Sequence, residues 1–333
     1  MKPQCRKLMQ RAAIACAAIA FAAGAQAQGW QPERNVEIVV NTAPGSGPDV
    51  TARLIQRILQ DLKAVPTSLT VANKPGGGGG IAYGYLSQHA GDGQFVAIAS
   101  KSLLTNHISG RMKLTYSNLT PLAILFGEYI TVGVKADSPI KDGRDLLERM
   151  KQDPGSLSFG VATSLGNPNH QGVAMAMKAT GIDLRKTKTV VFQSGGNAIT
   201  ALLGGHVDVV PGSVGLMRKH VEAGSVRLIA IASPQRLGGI YASTPTWKEQ
   251  GADVIVSNWR GMVGPGGMTA AQKDYWDNAL KQLTQTEVWK KELAKNNWAD
   301  EYKQSAETLR YMEAEYAELK SFLTELGLVK TKQ

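Results

Sequence analysis

The stretch Val36-Glu37-Ile38-Val39-Val40-Asn41-Thr42-Ala43-Pro44-Gly45-Ser46-Gly47-Pro48-Asp49-Val50-Thr51-Ala52-Arg53-Leu54 decides the fold class. Its first five residues read as a strand, and Pro44 to Gly47 as a glycine-proline turn. A helix is expected from Pro48 to about Leu62. Val50, Leu54, Ile58 and Leu62 recur every four residues and give one apolar face. Pro48 suits the first helical position, and Asp49 complements the positive end of the helix dipole. A helix start placed this way offers unpaired backbone N–H groups to an anion.

Upstream, residues 1–27 read as an export signal. Lys2, Arg6, Lys7 and Arg11 form a basic start, Ala12 to Ala23 a short apolar run, and Ala25-Gln26-Ala27 a cleavage site, so the mature chain is expected to begin at Gln28 in the periplasm. The apolar run is too short for a spanning helix. Cys16 lacks the spacing and the leucine of a lipoprotein signal. Both cysteines, Cys5 and Cys16, fall in this leader, which leaves no disulfide, thiolate nucleophile or thiolate metal site in the mature chain. The formal charge of +10 includes the four cations of the leader, so +6 remains, thinly spread. No Lys/Arg block with interleaved aromatics occurs, which argues against nucleic acid.

Downstream, strand-like runs alternate with helical patterns, which predicts an α/β architecture with largely parallel sheets. Strands are expected at 69–72, 95–99, 157–161, 189–192, 207–210 and 226–232. Helices are expected near 81–89, 144–151, 171–180 and 198–203. The long apolar run Leu122 to Val134 reads as a strand leaving a first domain for a second, and Val254 to Trp259 as the return. The remainder reads as helical. Its stripe of Leu309, Met312, Tyr316, Leu319 and Leu323 is core by its spacing. Two crossings divide the chain into a first lobe, 28–128 with 257–333, and a second lobe, 129–256. Roughly 300 residues suffice for two such cores.

At these residues the chain resembles the solute-binding receptors of tripartite tricarboxylate transporters, the Bug family. The resemblance runs through Pro44-Gly45-Ser46-Gly47-Pro48-Asp49 with Ala52-Arg53, Asn73 to Gly80, Gly91-Asp92-Gly93, Leu202 to Asp208, Pro245 to Gly251, and Trp259-Arg260-Gly261 with Gly264-Pro265. Each motif is common alone; their order along the chain is specific. The resemblance implies a two-lobed, type II-like periplasmic-binding-protein fold, each lobe a mostly parallel sheet flanked by helices, with the cleft between them. It further implies a non-enzymatic, cofactor-free and metal-free receptor, monomeric, that captures a di- or tricarboxylate or an aromatic acid for membrane transporter subunits. In the family one carboxylate is held by loop backbone groups and water of the first lobe, and second-lobe loops read the rest. The chain departs from the family at Phe192-Gln193-Ser194, where a Tyr-Lys-Gly-like loop is usual, and at Ala201, where an aspartate is usual.

The candidate site residues follow from both readings. Ala43, Gly45, Ser46 and Gly47 can present N–H groups, because Pro44 and Pro48 have none. Asp49 repels a carboxylate and reads first as a helix-start residue. Ser100, Ser102, Thr163, Ser164, Asn167, Ser194 and Ser213 fall in loops after strands, where ligands of open α/β sheets bind; each can equally cap the following helix. Phe192 and Gln193 complete the set. The run Gly76 to Gly80 lacks the Lys-Ser/Thr of a phosphate loop. The five histidines have no metal-binding spacing, His170 reads as a helix cap, and no G-x-S-x-G occurs. Two rival functions stay open at this point: a sensor receptor feeding a signalling protein, and a periplasmic hydrolase whose triad assembles only in space.

Overall fold

The computed structural model describes residues 29–329, so the leader and cleavage site read at 1–27 lie outside the described residues. The opening stretch folds as expected into β1 (Val36–Val40) and α1 (Gly47–Asp61). The buried side of α1 is Ala52, Leu54, Ile55, Ile58 and Leu59, while Val50 is 54% and Leu62 38% exposed. A strict four-residue line drifts around a 3.6-residue helix, so its two ends leave the core face. The chain continues through β2 (Leu69–Asn73), α2 (Gly80–Ser87), β3 (Phe95–Ser100) and α3 (Ser102–Ile108). It then enters β4 (Leu119–Lys135), a 17-residue strand.

After α4 (Gly143–Gln152) come β5 (Ser158–Ala162), α5 (Pro168–Ala179), β6 (Lys188–Phe192), α6 (Gly195–Leu203), β7 (Val210–Ser213), α7 (Val214–Glu222) and β8 (Val226–Ile231). The return strand is β9 (Ser257–Pro265), followed by α8 (Ala270–Gln285), α9 (Glu287–Asn296), β10 (Ala299–Lys303) and α10 (Ser305–Glu325).

The eight-stranded sheet is mixed rather than largely parallel as expected, because the crossing strand β4 and the return strand β9 run antiparallel to every neighbour. β1 pairs in parallel with β2 and β3, and β5 with β6. β9 lies antiparallel between β3 and β4. Along β4 the partners change. Leu119 to Tyr129 pair with β9, and Ile130 to Lys135 pair with β7 and β8. One strand therefore carries the chain from one hydrophobic core, around Tyr83, Trp259 and Met312, to another, around Phe159, Trp247 and Ile229.

Five elements depart from the sequence expectations, and one of them is α7, which fills a stretch between two expected strands where no helix is expected. The strand expected at 207–210 is shifted to 210–213 because Pro211 and Gly212, residue types uncommon inside strands, pair with Val132 and Thr131 of β4. β9 begins three residues later than the expected 254–259 segment and runs to Pro265. β10 interrupts a region read as wholly helical. It is a charged strand at the end of the sheet order, where a partner on one side only removes the need for apolar alternation. The short helix α3 follows the serines after β3, with no apolar repeat long enough to announce it.

Candidate functional site

A cleft of about 530 Å³ opens where several strands end. From the β1–α1 connection it takes Asn41, Thr42 and Pro48. From the β2–α2 connection it takes Gly76, Gly78 and Gly79, and around α3 it takes Ser100, Ser102, Asn106 and Arg111. The β5–α5 loop adds Thr163, Ser164 and Asn167, and β9 adds Asn258 and Arg260.

Local chemistry holds each segment in place. Asn41 donates to the Tyr83 hydroxyl at 3.3 Å, and that hydroxyl donates to the Ile98 carbonyl at 3.2 Å. Burial pushes the Tyr83 phenol well above its ordinary range, so it stays neutral. Gly76, Gly77, Gly78 and Gly79 all have positive φ, from 57° to 121°. A Cβ on Gly79 would lie 2.8 Å from the Tyr83 ring, so the glycine run is what lets this loop fold onto the cleft. Asn106 donates to the Gly78 carbonyl at 2.8 Å and fixes the loop from α3.

Asn167 caps α5, accepting from the His170 N–H at 2.9 Å and donating to the Ala162 carbonyl at 2.6 Å. Thr163 sits at φ 60°, an uncommon conformation for a β-branched residue, and its N–H donates to the Phe192 carbonyl at 2.6 Å. Behind this loop the Gly166 N–H donates to His170 Nδ1 at 2.9 Å.

Burial lowers the His170 pKa from 6.5 to about 4. The folded protein therefore holds a neutral imidazole where the unfolded chain binds a proton. The stabilisation is complete above pH 6.5 and is lost as pH falls toward 4, at up to about 1.4 kcal/mol per pH unit and ~3 kcal/mol in total. Urea midpoints of wild type and His170→Gln should thus differ most at about pH 7 and converge near pH 4.5. Parallel pH profiles for the two proteins would refute this.

The wall's electrostatics favour an anion. Its charged residues are Arg111 and Arg260, and none of its lining residues is acidic. Arg260 pairs with Glu128 at 3.2 Å, both side chains being largely buried. Arg111 is exposed and has no carboxylate partner among the described residues. Pro48 and Asn167 also bring the N-termini of α1 and α5 to the cleft, whose dipoles favour negative charge.

The structure brings five of the sequence-derived candidates to this wall: Ser100, Ser102, Thr163, Ser164 and Asn167. It gives the others different surroundings. Asp49 accepts from the Gly45 N–H at 2.9 Å, from Arg53 at 3.0 Å and from Asn73 at 2.9 Å. The Arg53 guanidinium, helped by the Gly45 and Asn73 donors, holds its carboxyl down to about 2. Asp49 thus organises the loop and occupies the Gly45 donor. Ser46 bonds its hydroxyl to Thr42 at 2.5 Å, while Ala43 and Gly47 are exposed on the same turn. Phe192 packs with the Leu202 and Val210 core, Gln193 is exposed, and Ser194 and Ser213 cap α6 and α7. Sequence reasoning missed Asn41, Thr42, Asn106, Arg111, Asn258 and Arg260. Arg260 carried a signal, lying between Trp259 and Gly261 of a family motif; Arg111 lay in a segment with no legible element.

Residues 51–328 match the model of the tripartite tricarboxylate transporter family receptor. The chain belongs to that family. It is 28% identical over 242 residues to the protein BugT of Bordetella pertussis, covering 71% of this chain and 72% of that one. Among solved structures, a TctC solute-binding protein from Polaromonas is 25% identical with a TM-score of 0.73, covering 88% of this chain and 99% of that one. A Rhodopseudomonas palustris protein with adipate is 22% identical with a TM-score of 0.76, over 90% and 99%. MatC of Rhodopseudomonas palustris, with bound malate, is 20% identical with a TM-score of 0.70, over 87% and 99%. These likenesses bear out the two-lobed α/β periplasmic-binding-protein fold. The family consists of periplasmic substrate-binding receptors, not enzymes. No helix among the described residues is long and apolar enough to cross a membrane.

Proposed function

We propose that this receptor captures a small organic acid, a di- or tricarboxylate or an aromatic carboxylate, in the cleft and delivers it to membrane subunits of a tripartite tricarboxylate-type transporter. The observation that carries the reading is the wall itself: hydroxyl and amide donors, two guanidinium groups, and no carboxylate among its lining residues. Uncharged donors bind an anion without the desolvation cost of a buried counter-ion. The bound adipate and malate of the two Rhodopseudomonas palustris neighbours support the same ligand class. In this reading Thr42, Ser100 and Ser102 face Thr163, Ser164 and Asn167 across the ligand. The first lobe comprises 28–128 and 257–333 and the second 129–256, with β4 and β9 as the crossing strands. The leader is removed after Ala27, and the mature receptor works in the periplasm as a monomer.

Thermal unfolding of Gln28 to Gln333 against mono-, di- and tricarboxylates and aromatic acids tests this. An acid at about 100 times its dissociation constant should add ~2.7 kcal/mol, a shift of a few degrees. A shift confined to one acid class names the class. No shift with any acid, in folded and ligand-free protein, would remove the carboxylate reading.

A further inference from the structure

Behind the cleft wall lies a second cavity of about 270 Å³, lined among others by Lys101, Gln171, Ser257, Tyr311 and Glu315. Its most unusual member is Glu315, a carboxylate on the buried side of α10 with 8% exposure. Lys101 approaches Glu315 Oε1 at 2.7 Å, and Tyr311 donates to the same oxygen at 3.2 Å. Trp259 Nε1 donates to Oε2 at 2.5 Å. Lys101 is itself 6% exposed and Trp259 fully buried.

The partners of this carboxylate are spaced in a telling way. Lys101 lies between Ser100 and Ser102, and Trp259 lies between Asn258 and Arg260; all four flanking residues line the cleft. β3 and β9 are neighbours, with Ser100 opposite Arg260. Side chains alternate across a strand, so Arg260 faces the cleft while Trp259 faces α10. The Lys101 carbonyl also accepts the N–H groups of Leu104 and Thr105, which begin α3. From α3, Asn106 holds the glycine loop through Gly78. One carboxylate thus braces two wall segments directly and a third through α3.

Stability alone does not call for such a group. A buried ion pair is commonly replaceable by apolar side chains at no net cost, whereas removing one partner leaves an uncompensated charge. What an apolar pair does not supply is direction: a fixed acceptor that aims one ammonium and one indole N–H at the same time.

We propose that Glu315 is a positioning residue for the ligand cleft, setting the Ser100–Ser102 and Asn258–Arg260 segments through Lys101 and Trp259 although it does not itself line the cleft. This rests on the reading of the cleft as a carboxylate site. The test is calorimetric titration of the mature protein and its variants with malate, adipate, citrate and benzoate. Glu315→Gln keeps the shape and removes the charge. The double variant Lys101→Met with Glu315→Leu replaces the pair by apolar groups but also removes the acceptor of the Trp259 indole and the Tyr311 hydroxyl, so it should melt several degrees below wild type while remaining folded in the titration. Both are expected to bind the acid that wild type binds about tenfold more weakly or worse. Glu318→Gln, on the same helix and beside the same cavity, should bind as wild type does. A purely structural role would lower the melting temperature of Glu315→Gln and leave affinity unchanged in folded protein. Wild-type affinity in the double variant, within about twofold, overturns the proposal. Absence of binding by wild type to all four acids overturns instead the carboxylate reading on which it rests.

Discussion

Gly261→Ala is expected to destabilise the protein by about 4 kcal/mol or more, at the extreme of single-substitution effects. Gly261 lies in the middle of β9, opposite Ala99 of β3 and Ile124 of β4. Its φ is not in the left-handed region, so the objection to a side chain is space alone. The β4–β9 register shifts between Pro121 and Ala123 and again between Ile124 and Phe126. These irregularities bring β4 backbone under the glycine. A Cβ would overlap the Ala123 carbonyl oxygen and lie 3.2 Å from both Ala123 C and Ile124 Cα. Those atoms have no rotamer to adopt, so the strands must part and ladder hydrogen bonds must weaken. Asn258 and Arg260 sit on the same strand, and acid affinity should fall together with the denaturant midpoint. Gly84→Ala is the control. Gly84 is inside α2 with nothing within 4 Å of its Cβ position, and alanine there should stabilise by ~0.5–1 kcal/mol. A Gly261→Ala midpoint equal to that of wild type would refute the expectation.

The fold was largely legible because α/β units announce themselves by period and by turn chemistry. β1, α1, β2, β3, β5 and β6 all lie within a few residues of their expected positions. What was illegible has physical causes. Pro211 and Gly212 fall outside the expected strand because their strand role depends on a partner, β4, distant in sequence. Charged β10 has no alternation to read. The site was legible only in part for a similar reason. Ser100, Ser102, Ser164 and Asn167 could be found because they follow strand ends. Asn41, Arg111, Asn258 and Arg260 converge only after the sheet order is known. The first turn reads as a row of N–H donors, but nothing local shows that Asp49 reaches back and occupies Gly45. Glu315 lay hidden within a stripe read as apolar core, where Leu309 turns out to be 38% exposed.

Arg260→Ala should cost the receptor about a hundredfold or more in carboxylate affinity, ~2.7 kcal/mol. Two effects combine. The substitution removes the better fixed of the two guanidinium groups on the cleft wall, and it strips Glu128 of its partner. With its side chain only 14% exposed, Glu128 would then stand as an uncompensated anion beside the ligand's carboxylate. The second effect makes a directional test available. Glu128→Gln alone removes an anion that competes for Arg260, so affinity for the acid should rise or hold. In the Arg260→Ala background the same change should restore a large part of what was lost. Arg260→Lys should fall between, because an ammonium lacks the fork that engages Glu128 and a ligand together. Arg111→Ala should have a smaller effect, about tenfold, because Arg111 is exposed and screened by salt. That loss should be confined to acids long enough, or charged enough, to reach the glycine loop beside it. Equal affinities of wild type and Arg260→Ala for the same acid would show that the ligand's charge is met elsewhere, by backbone amides and hydroxyls alone.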